Sequence, residues 1–322
     1  MIKKDFTFLS SNQTTNIHAI ECIPENGQYT RVIQLVHGML EYIERYLPFC
    51  EYLTSKGFIV VGHDHLGHGQ SVNTPEDLGY FGEPEPNQLL IQDIHSLRNI
   101  TMQKYPNLPY FMCGHSMGSY LLREYLYLSS DGLSGAIIMG TGTISGCTSF
   151  MGLKFCKILS CCKGQRDRSS FVKKIVFESG PYKHFNLQDE NRSWITSDPE
   201  QARLYNDDQK MKFDFTLNGY MGLIEATKIS NDSSSAEKIN KDLPLLFVSG
   251  SNDPVGDNGA GVRKAYDLMV KVGVKDVNIK LFEGDRHEIL NEKNRGEVFE
   301  YIGNWLDEKN NTNIANIINI NN

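Results

Sequence analysis

Residues 4–9 and 16–22 alternate apolar and polar positions and predict the two strands of an antiparallel hairpin. Short, nearly unbroken apolar runs follow at 32–36, 58–61, 110–113, 136–139, 245–248 and 277–282. Runs of that length, rich in β-branched residues, predict strands buried on both faces. The stretches 46–56, 88–104, 120–126, 261–272 and 297–308 instead carry apolar residues at helical spacing. Strand and helix therefore alternate, which predicts an α/β domain with a mostly parallel central sheet and helices on both faces. The pattern breaks near Thr143, and no strand is legible until about Lys241. The expected organisation is a sheet domain over 1–142 and 242–309, interrupted by a mostly helical cap over 143–241. Residues 230–235, rich in Ser and Asn, read as the return linker. The Asn-rich segment 310–322 reads as a disordered tail.

The third of these apolar runs, 110–113, leads directly into Gly114-His115-Ser116-Met117-Gly118, and a helical stretch follows it. A G-x-S-x-G pentapeptide arises by chance in about one chain in five of this glycine content, so the bare pattern decides little. Its position between strand and helix is what matters. That context makes a sharp turn on which a serine hydroxyl stands clear of the sheet, with small residues on either side so that strand and helix can pass closely.

A serine hydroxyl is a weak nucleophile at neutral pH and needs a base, which in turn needs an orienting acid. The chain has nine histidines, so position rather than residue type selects the candidate. His287 lies just past the last apolar run, and Asp253 just past the one before it. Both are at the carboxyl ends of predicted strands, on the edge that carries Ser116, where open α/β sheets build their sites. Asp257 and Asp285 are the nearby rivals for the acid. An oxyanion needs two N–H donors. Met117, at the start of the helix, supplies one; the other falls to Met39, in the turn His37-Gly38-Met39 after the 32–36 strand.

Composition narrows the class. With 322 residues, 40% hydrophobic and 22% charged, the chain is long enough for a large folded core. A net charge of -7 and no basic stripe argue against a nucleic-acid partner. The N-terminus lacks the apolar region of a signal peptide, and no run is long enough to span a membrane. Seven cysteines without paired spacing predict reduced thiols in a cytoplasmic protein. His63, Asp64, His65 and His68 cluster in sequence, yet glycines and the missing acidic partners argue for a hydrogen-bonded loop that buttresses the oxyanion turn rather than a metal site. No metal or cofactor is expected. Residues 150–163 place Met151, Phe155, Ile158, Leu159 and Cys162 on one helical face, with Lys154 and Lys157 opposite. Such a face packs on the core, lines an acyl-chain entrance, or makes transient, peripheral contact with a membrane surface. Cys161-Cys162 is a candidate for acylation.

These residues resemble the α/β-hydrolase family that includes monoacylglycerol lipases, bacterial lysophospholipases and serine aminopeptidase-like proteins. The resemblance covers nearly the whole chain. It rests on His37-Gly38-Met39 with Glu41, Arg45 and Tyr46, on 64–71, on 114–118, on Asp253-Pro254-Val255-Gly256, and on Arg286-His287-Glu288 through Glu292. Leu66 is a departure, since many relatives carry Arg there. The resemblance implies the α/β-hydrolase fold, a triad of Ser116, Asp253 and His287, and an oxyanion hole from Met39 and Met117. The expected activity is hydrolysis of carboxylic esters of single-chain lipids, monoacylglycerol or lysophospholipid, through an acyl-enzyme. The alternatives are a short-chain esterase, a small-amide peptidase, or a non-catalytic binding module. A peptidase for free amines would need a carboxylate pair such as Asp207-Asp208 or Asp189-Glu190.

Overall fold

A computed structural model describes residues 1–144, 146–177, 182, 185–186, 189, 191 and 193–320, with backbone alone for 311–320. In chain order the elements are β1 (Ile2–Leu9), β2 (Asn16–Ile23), β3 (Arg31–Val36), α1 (Leu47–Ser55), β4 (Phe58–His63), α2 (Pro86–Lys104), β5 (Tyr110–His115), α3 (Met117–Ser129) and β6 (Gly135–Met139). Then come α4 (Gly146–Lys163), α5 (Ser170–Phe177), α6 (Pro199–Asp207), α7 (Leu217–Ser230), α8 (Ser233–Ala236), β7 (Leu245–Gly250), α9 (Ala260–Lys271), β8 (Val277–Phe282) and α10 (Arg295–Ile320).

The eight strands form one sheet in the order β1-β2-β4-β3-β5-β6-β7-β8. β1 and β2 make the predicted antiparallel hairpin, β2 meets β4 antiparallel, and every later pairing is parallel. β3, β4, β5, β6 and β7 are buried at every position, which is why their sequences are continuous apolar runs. Two apolar clusters lie on the two faces. One packs β3, β5 and β6 residues such as Val32, Met112 and Ile138 against α2 and α3; the other packs Ile33, Phe111 and Ile137 against α1 and α10.

Between β6 and β7 the described residues form helices and no strand. α7 packs against α2, α3 and α4, and α8 against α3 and α9, so these two belong to the helical layer over the sheet. The segment 230–235, read as a linker, is the end of α7 and the start of α8, with Asp232 accepting from the Ser235 N–H as its N-cap. The stretch from residue 310, read as a disordered tail, continues α10 to Ile320. Extending an already packed helix requires no new nucleus, and Ile314, Ile317 and Ile318 keep helical spacing among the asparagines. No helix among the described residues is long and apolar enough to cross a membrane.

Behind the β3 and β4 ends lies a buried group of imidazoles. The ring centres of His37 and His65 are 4.2 Å apart, those of His63 and His65 4.9 Å, and those of His37 and His68 5.2 Å. Burial lowers all four pKa values, to about 3 for His63 and His68. These groups are neutral in the fold and take up protons on unfolding below the ordinary histidine range. His18 and His115 shift upward, so they are charged in both states there and add no slope. Stability should therefore fall as pH drops from about 6.5 toward 5, by about 1.4 kcal/mol per unit for each buried neutral imidazole. The fall is offset in part by Glu124 and Asp285, whose carboxyls burial raises to about 7 and about 6, so that they are protonated in the fold first. Urea unfolding across this range checks the slope, and His63→Phe should reduce it.

Candidate active site

β5 ends at His115 and α3 begins at Met117, leaving Ser116 alone at the corner with φ 53 and ψ -121. A Cβ on Gly118 would stand 2.1 Å from the Val36 carbonyl oxygen, and one on Gly114 2.4 Å from that of Gly118. The two glycines are therefore required by the close passage of α3 over β3 and β5. The turn is tied by the Ser116 N–H donating to the Met139 carbonyl at 3.0 Å and by Ser119 Oγ donating to the Ser116 carbonyl at 2.6 Å.

The loops after β7 and β8 bring the other two predicted groups to Ser116. Ser116 Oγ is 2.8 Å from His287 Nε2, and His287 Nδ1 is 3.0 Å from each Asp253 carboxylate oxygen. Asp253 is fully buried and also accepts from Ser249 Oγ and the Val255 N–H, both at 2.9 Å. Burial opposes its ionisation, but His287 and these donors outweigh that effect and hold the carboxyl below its usual range. With Nδ1–H directed at a carboxylate, Nε2 is free to accept the serine proton. The rivals stand elsewhere. Asp257 is exposed at the cavity. Asp285 is buried near Glu292, which helps raise its carboxyl to about 6 after burial itself. Neither bonds to His287 among the described residues.

The oxyanion turn lies against the serine. A Cβ on Gly38 would meet Glu41 Oε1 at 2.5 Å and Ser116 Cβ at 2.9 Å. Among the described residues neither the Met39 nor the Met117 N–H has a protein acceptor. Two supports hold the turn. On one side His37 Nε2 accepts from the His65 N–H at 2.9 Å, so the ring proton sits on Nδ1, 2.8 Å from the Gly38 carbonyl. Asp64 in turn accepts from the Ile43 and Gln70 N–H groups, both at 2.8 Å. This is the buttress expected of 64–71. On the other side Glu41 Oε1 accepts from the Gly38 N–H at 2.5 Å and Tyr46 OH at 2.8 Å, and meets His115 Nδ1 at 2.9 Å. Arg45 reaches Glu41 at 3.2 Å and grips Glu288 with both terminal nitrogens at 2.7 and 2.8 Å. The oxyanion turn and the His287 loop are thus joined through one buried guanidinium.

Several of these supports carry no motif. Ser249 is the penultimate residue of β7, four before Asp253, and gives no signal beyond that spacing. Trp194, whose ring centre is 5.2 Å from that of His287, comes from the helical interval between β6 and β7. The His287 loop is fastened to that interval by the Glu288 N–H to the Ile195 carbonyl at 2.7 Å and by Arg286 to the Thr196 carbonyl at 3.1 Å. Above Ser116 opens a cavity of about 1290 Å³, walled mainly by apolar and aromatic side chains such as Met39, Tyr120, Trp194, Tyr205, Phe213 and Ile224. The apolar stripe of α4 does not wall it. Met151, Phe155, Ile158 and Cys162 are exposed, and α4 instead buries Ser149, Leu153 and Cys156 on its α7 side. Asp208 is engaged by Tyr42 OH at 2.7 Å and Asp207 by Arg203 at 3.5 Å, and neither lines the cavity; Glu190 lies outside the described residues.

An eight-stranded, mostly parallel sheet with a serine on a strained strand-to-helix corner and a His–Asp pair on the last two strand loops defines an α/β-hydrolase. The family described as serine aminopeptidase, S33, matches residues 27–294. The chain is 24% identical to the monoacylglycerol lipase of Mycolicibacterium smegmatis, over 85% of this chain and 87% of that one. It is 24% identical to the monoglyceride lipase of Rattus norvegicus, over 88% and 84%. Among solved structures, a highly thermostable carboxyl esterase from Bacillus coagulans in complex with glycerol superimposes with a TM-score of 0.88 at 30% identity, over 96% of this chain and 99% of that one. The chain belongs to this S33 family of α/β-hydrolases, the group that includes the monoacylglycerol lipases.

The buried Arg45 pair yields a stability prediction. Arg45→Met leaves Glu288 without its cation and Glu41 with His115 alone, and removing one member of a buried ion pair costs about 3–5 kcal/mol. Urea unfolding should register that loss, whereas a change below about 1 kcal/mol would mean that the pair contributes as little as a surface one.

Proposed function

We propose that the protein is a serine hydrolase that cleaves carboxylic esters of single-chain lipids, monoacylglycerols or lysophospholipids. The observation that carries the reading is the position of the Ser116 hydroxyl, hydrogen-bonded to the His287–Asp253 pair, at the floor of the large apolar cavity. In this reading His287 takes the serine proton as Oγ attacks the ester carbonyl. The N–H groups of Met39 and Met117 receive the oxyanion. His287 then returns the proton to the leaving alcohol, and water repeats the sequence on the acyl-enzyme. The cavity exceeds the roughly 300–1,000 Å³ of ordinary small-molecule pockets, enough for an acyl chain with its head group. The lipase relatives support the lipid substrate. The protein is read as cytoplasmic, with the exposed face of α4 in transient contact with a membrane surface. The runner-up, a short-chain esterase, is favoured by the likeness to the carboxyl esterase.

Ser116→Ala should lower ester turnover by about 10⁶ and abolish labelling by a fluorophosphonate probe. Asp253→Asn should lower turnover by about 10⁴, since the imidazole would be held in the wrong tautomer, while Asp257→Asn and Asp285→Asn do far less. Turnover by Ser116→Ala near the wild-type rate would remove the assignment.

The substrate class is tested by a chain-length series of nitrophenyl esters and monoacylglycerols below micelle formation. Each methylene buried in the cavity contributes about 0.8 kcal/mol, or roughly a fourfold gain, where the transition state retains it. kcat/KM should rise from acetyl to medium chains and then level off. A steady fall from acetyl upward favours the short-chain esterase, and amide turnover comparable to ester turnover favours the peptidase.

A further inference from the structure

Of the seven cysteines, Cys22, Cys50, Cys113 and Cys156 are buried, and the three exposed thiols, Cys147, Cys161 and Cys162, all lie on α4. At 100° per residue, Cys147, Met151, Ile158 and Cys162 share the pole of α4 opposite its buried stripe of Ser149, Leu153 and Cys156. Met151 and Ile158 are 65% and 64% exposed, and Phe171 and Ile175 of α5 are also exposed. A run of large apolar side chains held outward in this way is the mark of an interaction surface. Its charge is as distinctive. From Gly146 to Phe177 the chain carries seven basic residues against one acidic, Asp167, within a chain whose net charge is -7; Arg166 pairs with Asp77 and Lys173 with Asp214, and the segment stays basic with those two cations set aside. A basic, apolar helix face fits an anionic lipid surface.

We propose that the adjacent thiols Cys161 and Cys162 are a site of S-acylation, whose thioester-linked chains fix this face of α4 to anionic membrane. The inference rests on the lipid-surface contact proposed above. A helix face of this size, or a single acyl chain, binds bilayers reversibly; stable attachment takes a chain together with a second signal such as a polybasic patch. α4 and α5 supply the patch, and the last turn of α4 supplies the thiols. A chain on Cys162 would continue the line of Met151, Phe155 and Ile158 into the lipid. The location also spares the active site. Cys147 sits at the end of α4 whose neighbours Ile144, Thr148 and Ser149 line the cavity, whereas Cys161 is 14 residues further along, roughly 20 Å by helical rise. The donor is a long-chain acyl-coenzyme A. The cysteine sulfur, giving up its proton, attacks the donor's thioester carbonyl. A new C–S bond forms, the bond to coenzyme A breaks, and coenzyme A leaves as the thiol carrying that proton, with no change in oxidation state.

The test uses full-length Ser116→Ala protein, so that no acyl-serine forms and the outcome is independent of the hydrolase reading. It is incubated with palmitoyl-coenzyme A and phosphatidylcholine vesicles with or without phosphatidylserine. The expected result is a mass gain of one or two palmitoyl groups, released by neutral hydroxylamine, mapped to Cys161 and Cys162, and faster with phosphatidylserine. Replacing both by serine should cut the label roughly tenfold, leaving only the stray reactivity of the other thiols, while Cys147→Ser retains it. The acylated protein should float with the vesicles at a salt concentration that releases the unmodified protein. Absence of hydroxylamine-labile label, equal labelling of Cys147, or label that survives in the double variant overturns the site. Labelling without retention at high salt overturns its role as an anchor. The double variant's thermal melt and its ester hydrolysis in the wild-type Ser116 background should be unchanged.

Discussion

The corner at Ser116 is the constraint on which the rest of the site depends. A non-glycine residue at φ 53 and ψ -121 lies outside the comfortable backbone regions, at a cost of about 1–3 kcal/mol. It persists because its surroundings permit nothing else. β5 is buried at every position and paired on both sides, and α3 must start at once to cover it. The contact of Gly118 with the Val36 and His37 carbonyls then places the first turn of α3 against the end of β3. One close approach therefore fixes three things together: the direction of the serine hydroxyl, the Met117 N–H, and the distance to the turn that carries Met39.

Around that corner the electrostatics are divided by side. Under the oxyanion turn lie neutral imidazoles, which keep the turn in place through directed hydrogen bonds and bring no charge close to the serine. On the opposite side Glu41 and Arg45 are ionised and buried. Burial alone would favour the neutral Glu41 acid, but His115 and Arg45 reverse that preference. The arrangement lets one carboxylate hold the Gly38 N–H, and with it the aim of the Met39 N–H, while the same cation secures the loop of His287 through Glu288. Ser116, His287 and the turn that carries Met39 follow different strands, and this pair ties that turn to the loop of His287.

Much of this was legible from the chain because buried parallel strands cannot be disguised. A strand covered on both faces must be continuously apolar, so the places of the strands along the chain and the strand-end positions of Ser116, Asp253 and His287 follow from pattern, while the order of the strands across the sheet does not. The supporting residues were not legible in the same way. Glu41, Arg45 and Glu288 stood out as family-like positions, but nothing in their spacing says that they meet. Ser249 and Trp194 have no motif, because their roles depend on loop paths that local sequence does not encode. α4 is the clearest failure of periodicity. Its sequence contains two stripes, and the larger apolar one was the natural candidate for packing. The structure buries the stripe of Ser149, Leu153 and Cys156 on the α7 side and leaves Met151, Phe155 and Ile158 outside.

That reversal bears on how such a surface persists. Folding selects the stripe that packs most closely, so exposure of Met151 and Ile158 is no accident of a helix with nowhere else to turn. A rotation of α4 by half a turn would bury them at the expense of its fit to α7. The fold thus keeps an apolar face outward on a chain that is otherwise acidic, where it would promote self-association were it not ringed by lysines. In the proposed membrane contact, the surplus positive charge left after Arg166 and Lys173 pair with Asp77 and Asp214 would disfavour a second copy of the same face and favour an anionic bilayer. On that proposal the charge pattern would set which contact the apolar face makes, and the apolar residues how deeply it is made.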